Sequence, residues 1–416
     1  MSDRAAIEAA LILARPRVIA ALLRTFRELD TAEEGFQEAS LRAIERWTDK
    51  GAPDDPAAWL VLVGRNAIFD ARRKSKRNAG LDELPTEGPP AGGDSESLLA
   101  SRLDDAEYRD DVLRLLFVCC HPELPPAQQI ALALRVVCGL SVKEIARAFL
   151  VSESALEQRI TRAKSRIGEA QVPFDAPAPE ERRERLAAVA ATVYLVFNEG
   201  YSATGGEAHI RLVLCEEAIR LARLLLGIFP GEPSILGLTA LLVLQHARVA
   251  GRLDREGNIV LLDRQDRSRW DRSRIEEGVA LLDAGMRLGR PDPYLVQAAI
   301  AALHAQARRA EDTDWAQIDL LYATLEQLRP SPVVTLNRAV AVAKARGATA
   351  ALALIAPLED RLGDYFHFHG VKGGLLAELG RNHEARRALE RALELAKTPA
   401  EAAQIQLRLD EVRAAT

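Results

Sequence analysis

The sequence has few cysteines and no long uncharged apolar run, and each shortage excludes a class of protein. Only 4 of its 416 residues are cysteine and no apolar N-terminal segment is present, which argues against a secreted disulfide scaffold. No window approaches the roughly 18 uncharged apolar residues that a membrane helix requires. We therefore expect a soluble, cytoplasmic protein with no membrane partner.

Catalytic and metal-binding patterns are also missing. We find no phosphate-binding loop, nucleophile triad or pair of carboxylates at a catalytic spacing, so we expect neither an enzyme nor a cofactor. Two imidazoles, His367 and His369, are two positions apart and would face different sides of a helix. The sequence therefore predicts no metal site.

Aromatic residues make up only 5% of the chain, whereas hydrophobic residues as a whole reach 48%. Ala, Leu, Val and Ile dominate, together with Arg and Glu, and this mixture favours helices throughout. At this length two to four domains are expected. We predict an all-α protein.

Two stretches rich in Pro and Gly or acidic residues divide the chain: "LPTEGPPAGGDSES" (84–97) and "QVPFDAPAPEE" (171–181). They predict a first domain over 1–80, a flexible acidic linker over 81–103, a second domain over 104–172 and a C-terminal extension over 180–416. From its composition the linker is interpreted as a soluble tether.

The net charge of −5 hides a local basic run, "RNAIFDARRKSKR" (65–77), with six basic residues against one acidic. Such a run is typical of a nucleic-acid-binding surface, although a solvated basic helix face is the alternative. Trp59 lies on the apolar side of the same predicted helix, so we expect it in the core.

The segment "LSVKEIARAFLVSESALEQRITRAKSRI" (140–167) has the pattern of a helix-turn-helix. Ser141 and Glu144 form a capping-box signature, and Ser152 opens the second helix after a short break. The apolar positions fall on one stripe in each helix: Val142, Ile145, Ala146 and Phe149, then Leu156, Ile160, Ala163 and Ile167. A plain helical hairpin is the alternative.

The second helix of this segment would present two sets of side chains to DNA. Four could meet base edges in a major groove, since Ser154, Gln158 and Thr161 lie opposite Leu156 and Glu157 flanks them. We call these four the base-facing residues. Four cations lie to the sides and would hold phosphates, and we call them the phosphate-facing residues: Arg159, Arg162, Lys164 and Arg166.

Three motifs in this order, "AEEGFQEA" (32–39), "PAAWLVLVGRNAIFDARRKSKR" (56–77) and the helix-turn-helix, resemble bacterial RNA polymerase sigma factors of the extracytoplasmic-function (ECF) type. That type keeps two domains, sigma-2 and sigma-4, and the resemblance covers about residues 1–170. Gly35 stands where an apolar residue is common in the family. The rest of the chain resembles the tetratricopeptide-like extension of one sigma-factor subgroup. Two segments look like signatures of that subgroup: "FVCCHPEL" (117–124), before the helix-turn-helix, and "YLVFNEGYSATGGE" (194–207).

The resemblance implies a protein that binds core RNA polymerase through its clamp and flap and starts transcription at specific promoters. The acidic helix would bind the clamp through what we call the clamp residues: Glu33, Glu34, Phe36, Gln37 and Glu38. The basic helix would engage the −10 promoter element through what we call the basic-track residues: Arg65, Asn66, Arg72, Arg73, Lys74, Lys76 and Arg77. The helix-turn-helix would read the −35 element. As an alternative to a soluble tether, the resemblance implies that the acidic linker would run through the RNA path of the polymerase as an anionic strand.

The extension also shows a helical repeat, because Gly347 and Gly380 lie one repeat length apart and each precedes an Ala-rich helix. Repeats of this kind stack and leave a concave surface, so we expect tetratricopeptide-like helices from about 290 to 400 and hypothesise that they bind a protein or peptide partner that regulates the sigma domains. Within the signature, "FNEGY" (197–201) is expected to form a tight structural corner.

The adjacent Cys119 and Cys120, with Cys138 further on, suggest core packing more than zinc or redox chemistry, because zinc ligands usually come in closely spaced pairs that are not adjacent. Two other functions remain open from the residues alone. An ordinary helix-turn-helix regulator with a sensing domain would leave the basic helix without a role, and a tetratricopeptide scaffold would leave both DNA-facing helices unexplained.

Overall fold

The computed structural model describes residues 3–78, 105–149, 151–170, 179–201, 208–252, 260–396 and 399–414. Helices make up most of the described residues, which form no β-strand, and this confirms the expected all-α fold. The chain divides into two compact units, Met1–Val196 and Phe197–Thr416. The acidic linker lies outside the described residues.

The first unit begins with three packed helices, α1 (Asp3–Phe26), α2 (Leu29–Lys50) and α3 (Pro56–Asn78). Trp59 of α3 is buried, as expected, and its ring lies 5.3 Å from that of Trp47 in α2. This core holds the acidic helix α2 against the basic helix α3, so the clamp residues and the basic-track residues belong to one packed domain.

Four further helices form the helix-turn-helix domain: α4 (Asp105–Cys119), α5 (Pro126–Leu132), α6 (Val142–Ala148) and α7 (Glu153–Glu169). A single π-helical turn, Ala133–Val137, continues α5. Gly139 follows it with a φ of +77°, a conformation that favours glycine, and this reverses the chain before α6.

The cysteines pack in the core of this domain, which confirms the structural interpretation of "FVCCHPEL". Cys119, Cys120 and Cys138 are all buried. Helix α4 ends at Cys119 and α5 starts at Pro126. Burial raises the pKa of the Cys120 thiol to about 12, so this thiol stays protonated at neutral pH.

Helix α8 (Pro179–Tyr201) contains the division between the two units, which falls after Val196. Its Thr192 donates a hydrogen bond to Gln129 of α5 at 3.2 Å, so the beginning of the predicted extension packs on the helix-turn-helix domain. The expected corner at "FNEGY" is wrong, because these residues are the last turn of α8. Phe197 and Tyr201 are one turn apart and stack at 5.2 Å, which favours the helix.

The second unit is an array of helices in which sequence neighbours pack together. They are α9 (Ala208–Ile228), α10 (Pro233–His246), α11 (Arg272–Met286), α12 (Pro293–Gln306), α13 (Trp315–Leu328), α14 (Pro332–Arg346), α15 (Ala348–Ile355), α16 (Glu359–Leu362), α17 (Phe366–Glu378), α18 (Asn382–Leu395) and α19 (Pro399–Ala414).

The two glycines of the predicted repeat have corresponding places in this array. Gly347 joins α14 to α15 and Gly380 joins α17 to α18, with φ values of +93° and +71°. Gly373 of α17 allows a close approach to α18, because a Cβ there would lie 2.7 Å from Leu389 Cγ. The tetratricopeptide-like character of this array stays a prediction.

One apolar stretch, Pro233–Gly251, is long and apolar enough to cross a membrane when judged by length and composition alone. No such stretch was expected from the sequence. Because 67% of its most apolar window is buried inside the protein, it has the character of a core helix and is weak evidence for a membrane span.

Candidate DNA-binding and polymerase-binding surfaces

The two helices of the helix-turn-helix are held by the caps that the sequence predicts. The backbone N–H of Ser141 donates to Glu144 Oε2 at 2.7 Å, and the Glu144 N–H donates to Ser141 Oγ at 3.2 Å. Ser152 Oγ accepts a hydrogen bond from the Ala155 N–H at 3.2 Å. These bonds satisfy N–H groups that a helix start leaves unpaired, so both helices begin where the motif requires.

Helix α7 has one buried and one exposed face. Leu156, Ile160 and Ala163 are buried, and all four base-facing residues are exposed. Among the phosphate-facing residues, Arg162 and Arg166 are exposed and Arg159 is partly buried. The structure thus brings the base-facing residues together on one accessible surface.

Lys164 is the exception among the phosphate-facing residues. Its Nζ lies 2.5 Å from Asp30 Oδ1 and 2.6 Å from Glu33 Oε2, both in the acidic helix α2. Burial lowers the pKa of Lys164, but the hydrogen bonds to Asp30 and Glu33 outweigh this effect and the pKa is raised. In this arrangement Lys164 neutralises carboxylates of the first domain.

The basic-track residues lie along the C-terminal half of α3. Asn66, Arg72, Arg73 and Lys74 are exposed and Arg65 is partly buried, whereas the side chains of Lys76 and Arg77 lie outside the described part of the structure. Arg72 stacks over the Phe26 ring at 5.0 Å, a cation–π contact that orients it along the helix surface. The described members of this set form a basic surface suited to a DNA backbone.

The clamp residues are divided between surface and interior. Glu34 and Gln37 are exposed, and Glu38 pairs with Arg42 at 3.0 Å. Glu33 and Phe36, in contrast, are each 6% exposed. The acidic helix therefore presents only part of its expected polymerase-binding surface.

Arg15 of α1 is a central residue that sequence reasoning missed. It is 8% exposed, pairs with Glu33 at 3.2 Å and lies 4.9 Å over the Phe36 ring. Burial lowers the pKa of Arg15, and the nearby Glu33 carboxylate acts in the opposite direction. The available signal was a cation inside the apolar stretch "ALILARPRVIAALL" (10–23), where an unpaired charge would be costly.

No group of three or more His, Cys, Asp or Glu side chains that could hold a metal ion occurs in the described ranges. His369 Nε2 instead lies 2.8 Å from the Gly363 carbonyl oxygen, and His367 is exposed, so the two imidazoles face different environments as the sequence predicts.

A helix-turn-helix with an exposed recognition face, joined to a domain with an acidic and a basic helix, defines a DNA-binding protein of the transcription machinery. Family models match it in three places: Sigma-70 region 2 over residues 11–78, Sigma-70, region 4 over residues 114–167, and a Family of unknown function (DUF6596) over residues 185–286.

Two relatives are similar to this chain. "Uncharacterized protein R00370" of Rhizobium meliloti is 58% identical over 414 residues, which cover 100% of this chain and 97% of that protein. "ECF RNA polymerase sigma factor BldN" of Streptomyces coelicolor is 33% identical over 149 residues, which cover 33% of this chain and 50% of BldN. The chain belongs to the ECF-type sigma factors of the sigma-70 family and carries a C-terminal extension. It directs transcription initiation, with core RNA polymerase and promoter DNA as its partners.

Proposed function

We propose that α7 reads the −35 element in the major groove and that α3 engages the −10 element. The observation that carries this assignment is the exposure of all four base-facing residues, while Leu156 on the same helix is buried. Arg159, Arg162 and Arg166 lie beside that face and would contact phosphates, which supports affinity without sequence information. At the −10 element, the basic surface of α3 binds the backbone of a single DNA strand whose bases are unstacked.

The clamp of the polymerase binds the acidic helix α2, and the flap binds the helix-turn-helix domain. Glu34 and Gln37 support this assignment, since they are exposed on α2. Glu33 and Phe36 contribute once the contacts that bury them are released. The protein acts by binding in the cytoplasm and needs no catalytic group of its own.

Run-off transcription with purified core polymerase tests this function. The full chain is expected to direct initiation at promoters that core enzyme alone ignores, whereas a helix-turn-helix regulator cannot confer initiation on core enzyme. A chain that neither co-elutes with core polymerase nor yields promoter-specific transcripts would contradict the proposal.

The C-terminal array regulates the sigma domains through a cavity of about 460 Å³. Apolar side chains such as Trp315, Ile318 and Val340 form most of its wall, and the charged groups in it are three cations and two carboxylates: Arg267, Lys344, Arg408, Asp263 and Glu378.

Arg408 gives this cavity its chemical preference. Burial lowers the pKa of Arg408, and the nearby carboxylates of Glu411 and Asp263 act in the opposite direction. Its Nη1 donates to the Gly370 carbonyl oxygen at 3.2 Å, and Glu411 pairs with Arg264 at 3.4 Å. An apolar wall with a cation of this kind favours a short peptide segment that offers an apolar side chain and a carboxylate.

The dye 1-anilinonaphthalene-8-sulfonate combines an apolar ring system with an anionic group and is a suitable probe of this cavity. Val340→Trp fills the cavity and Arg408→Gln removes its cation, so each is expected to weaken dye binding at least about 5-fold. Arg413→Gln, at an exposed position of the same helix, is the matched control. Equal dye binding by all three variants, or unchanged transcription output of the first two, would contradict the role of the cavity.

A further inference from the structure

The sigma-2 and sigma-4 domains are joined by buried polar contacts around Arg15. Its Nε donates to the carbonyl oxygen of Val136 at 3.1 Å and its Nη2 to that of Arg135 at 3.2 Å, both in the π-helical turn of the helix-turn-helix domain. The same Nη2 donates to Glu33 Oε1 at 3.2 Å. One guanidinium thus connects the acidic helix to two carbonyl groups of the other domain.

Glu33 carries a second contact between the domains. Its Oε1 accepts from Arg15 and its Oε2 accepts from Lys164 of the recognition helix, at 3.2 and 2.6 Å. Asp30, one turn earlier, also binds Lys164. A carboxylate assigned to the polymerase clamp and a cation assigned to the DNA backbone therefore neutralise each other.

Two further features fit the same contact. Arg24 of α1 pairs with Asp111 of α4 at 3.2 Å, and the Asp111 side chain is only 2% exposed. Gly139 leaves room for Arg15, because a Cβ at that position would lie 2.7 Å from Arg15 Cδ. The turn before α6 is thus shaped around an arginine of the other domain.

While the two domains are in contact, they lie too close together to bind both promoter elements at once. The centres of the −10 and −35 elements are about 25 base pairs apart, which is about 85 Å at about 3.4 Å per base pair. The stretch of chain between Asn78, where α3 ends, and Asp105, where α4 begins, can span at most about 90 Å when extended. The covalent connection therefore allows both elements to be bound, but the direct contact between the domains does not.

We propose that Arg15, Glu33, Asp30 and Lys164 form a latch that holds sigma-2 and sigma-4 in a closed, inactive arrangement. This inference rests on the proposed roles of α2, α3 and α7. Core polymerase competes for Glu33 and releases Lys164, so polymerase binding opens the protein and prepares the recognition helix for DNA. Because the coupling is reciprocal, promoter DNA that captures Lys164 increases the affinity for polymerase by the same factor.

A carbodiimide cross-linker tests the contact directly, since it joins an amine and a carboxylate only when they already touch. In the free full-length protein, mass spectrometry is expected to find Lys164 joined to Glu33 or Asp30. Core polymerase with promoter DNA is expected to abolish this product. Absence of the product from the free protein would overturn the latch.

The energetic test measures the affinity for core polymerase without DNA. Lys164→Gln weakens the closed form and is expected to tighten polymerase binding about 3- to 30-fold, because less free energy is needed for opening. Lys143→Gln, at a lysine of the same domain outside these contacts, is expected to leave the affinity unchanged. A loss of affinity in Lys164→Gln would show that Lys164 does not hold the protein closed.

Asp30→Asn weakens the same latch from the sigma-2 side and is expected to tighten polymerase binding about 1.5- to 5-fold. Asp54→Asn, at an exposed position, is the control. The double variant with Lys164→Gln should gain less than the product of the single effects, because both changes remove one contact. Independent effects that multiply in full would overturn the proposal.

A measurement of the distance between the two domains distinguishes a failure of the latch from a failure of the proposed function. Spin labels on Glu45→Cys and Glu169→Cys, both at exposed positions, are expected to move apart when Lys164→Gln or core polymerase opens the protein. If the labels and cross-links behave as expected but run-off transcription fails, the latch holds and the proposed function is wrong. If transcription succeeds and the distance never changes, the latch is wrong.

Discussion

Gly35 of α2 and Gly64 of α3 lie so close together that a Cβ on Gly64 would be 2.8 Å from the carbonyl oxygen of Gly35. A Cβ on Gly35 would in turn lie 2.6 Å from Ile68 Cδ1. This pair of glycines brings the acidic helix against the basic helix. It also gives a physical reason for Gly35, which departs from the apolar residue expected from the family.

Replacement of Gly64 by alanine is expected to lower the free energy of unfolding by about 1–3 kcal/mol, because the added methyl group meets a backbone carbonyl that cannot move alone. Gly35→Ala is expected to cost less, since the end of the Ile68 side chain can rotate away. Urea denaturation followed by tryptophan fluorescence measures both changes.

Gly168→Ala is the control for these two substitutions. A Cβ at Gly168 would meet no atom within 4 Å, so alanine there is expected to be neutral or to stabilise the helix by up to about 1 kcal/mol. If Gly64→Ala is as well tolerated as Gly168→Ala, the two helices do not approach as closely as described.

Two substitutions in α7 distinguish base reading from phosphate binding. Gln158→Ala is expected to relax the preference at one position of the −35 element, at a cost of about 1–3 kcal/mol for the preferred base. Arg162→Ala is expected to weaken binding to all sequences alike and to reduce the slope of affinity against salt by about one. Binding assays on a set of −35 variants at several salt concentrations measure both effects.

The opposite pattern would show that α7 docks in another orientation. A sequence-dependent loss in Arg162→Ala, or a uniform loss in Gln158→Ala, would contradict the assignment of these side chains. Glu123→Ala provides a control, because this exposed residue of the same domain lies outside the recognition helix.

The helix-turn-helix could be predicted because its signals are local. The reciprocal bonds of Ser141 and Glu144 and the buried stripe of α7 depend on residues three or four positions apart, and the sequence shows that spacing. The ion pairs of Lys164 join residues 131 and 134 positions apart, and helical periodicity contains no information about such partners. The same limit applies to Arg15, whose carbonyl partners are 120 and 121 positions away.

The prediction of a corner at "FNEGY" was wrong for a different reason. Asn198 and Gly200 are frequent in turns, but the Phe197 and Tyr201 rings stack one helical turn apart and Gly200 is buried. Side-chain packing therefore outweighed local turn preference, which is a weak signal when it stands alone.

Asp319 of α13 is a second buried charge that the sequence did not indicate. It is 2% exposed, accepts a hydrogen bond from Arg338 Nε of α14 at 2.8 Å and also binds Arg346. Asp319→Ala is expected to destabilise the second unit by about 3 kcal/mol. The reason is that Arg338, whose charge is partly buried, loses its more buried partner and keeps only Glu326. Urea denaturation of the full chain measures the change.

Glu311→Ala is the control for this prediction, since its carboxylate is exposed and lies 3.9 Å from Arg309. This substitution is expected to change the free energy of unfolding by less than about 0.5 kcal/mol. Similar effects of both substitutions would show that Asp319 is not a structural carboxylate of the array.

The buried thiol of Cys120 predicts how stability depends on pH. Burial raises its pKa to about 12 in the folded protein, whereas an unfolded cysteine titrates near about 8.5. Above that value the unfolded chain loses the proton first, so the folded state binds more protons and the free energy of unfolding falls with rising pH. The loss is expected between about pH 8.5 and pH 12, with a slope of up to about 1.4 kcal/mol per pH unit for each thiol of this kind.

Cys120→Ala removes this titration and provides the test. At pH 8 the variant is expected to be less stable than the original protein by about 1–2 kcal/mol, because it loses the packing of the sulfur atom. The difference should shrink as the pH rises towards 11, because only the original protein loses stability through this thiol. Urea denaturation of both proteins from pH 7 to pH 11 measures the difference, and a gap that stays constant over this range would show that Cys120 titrates equally in the folded and unfolded states.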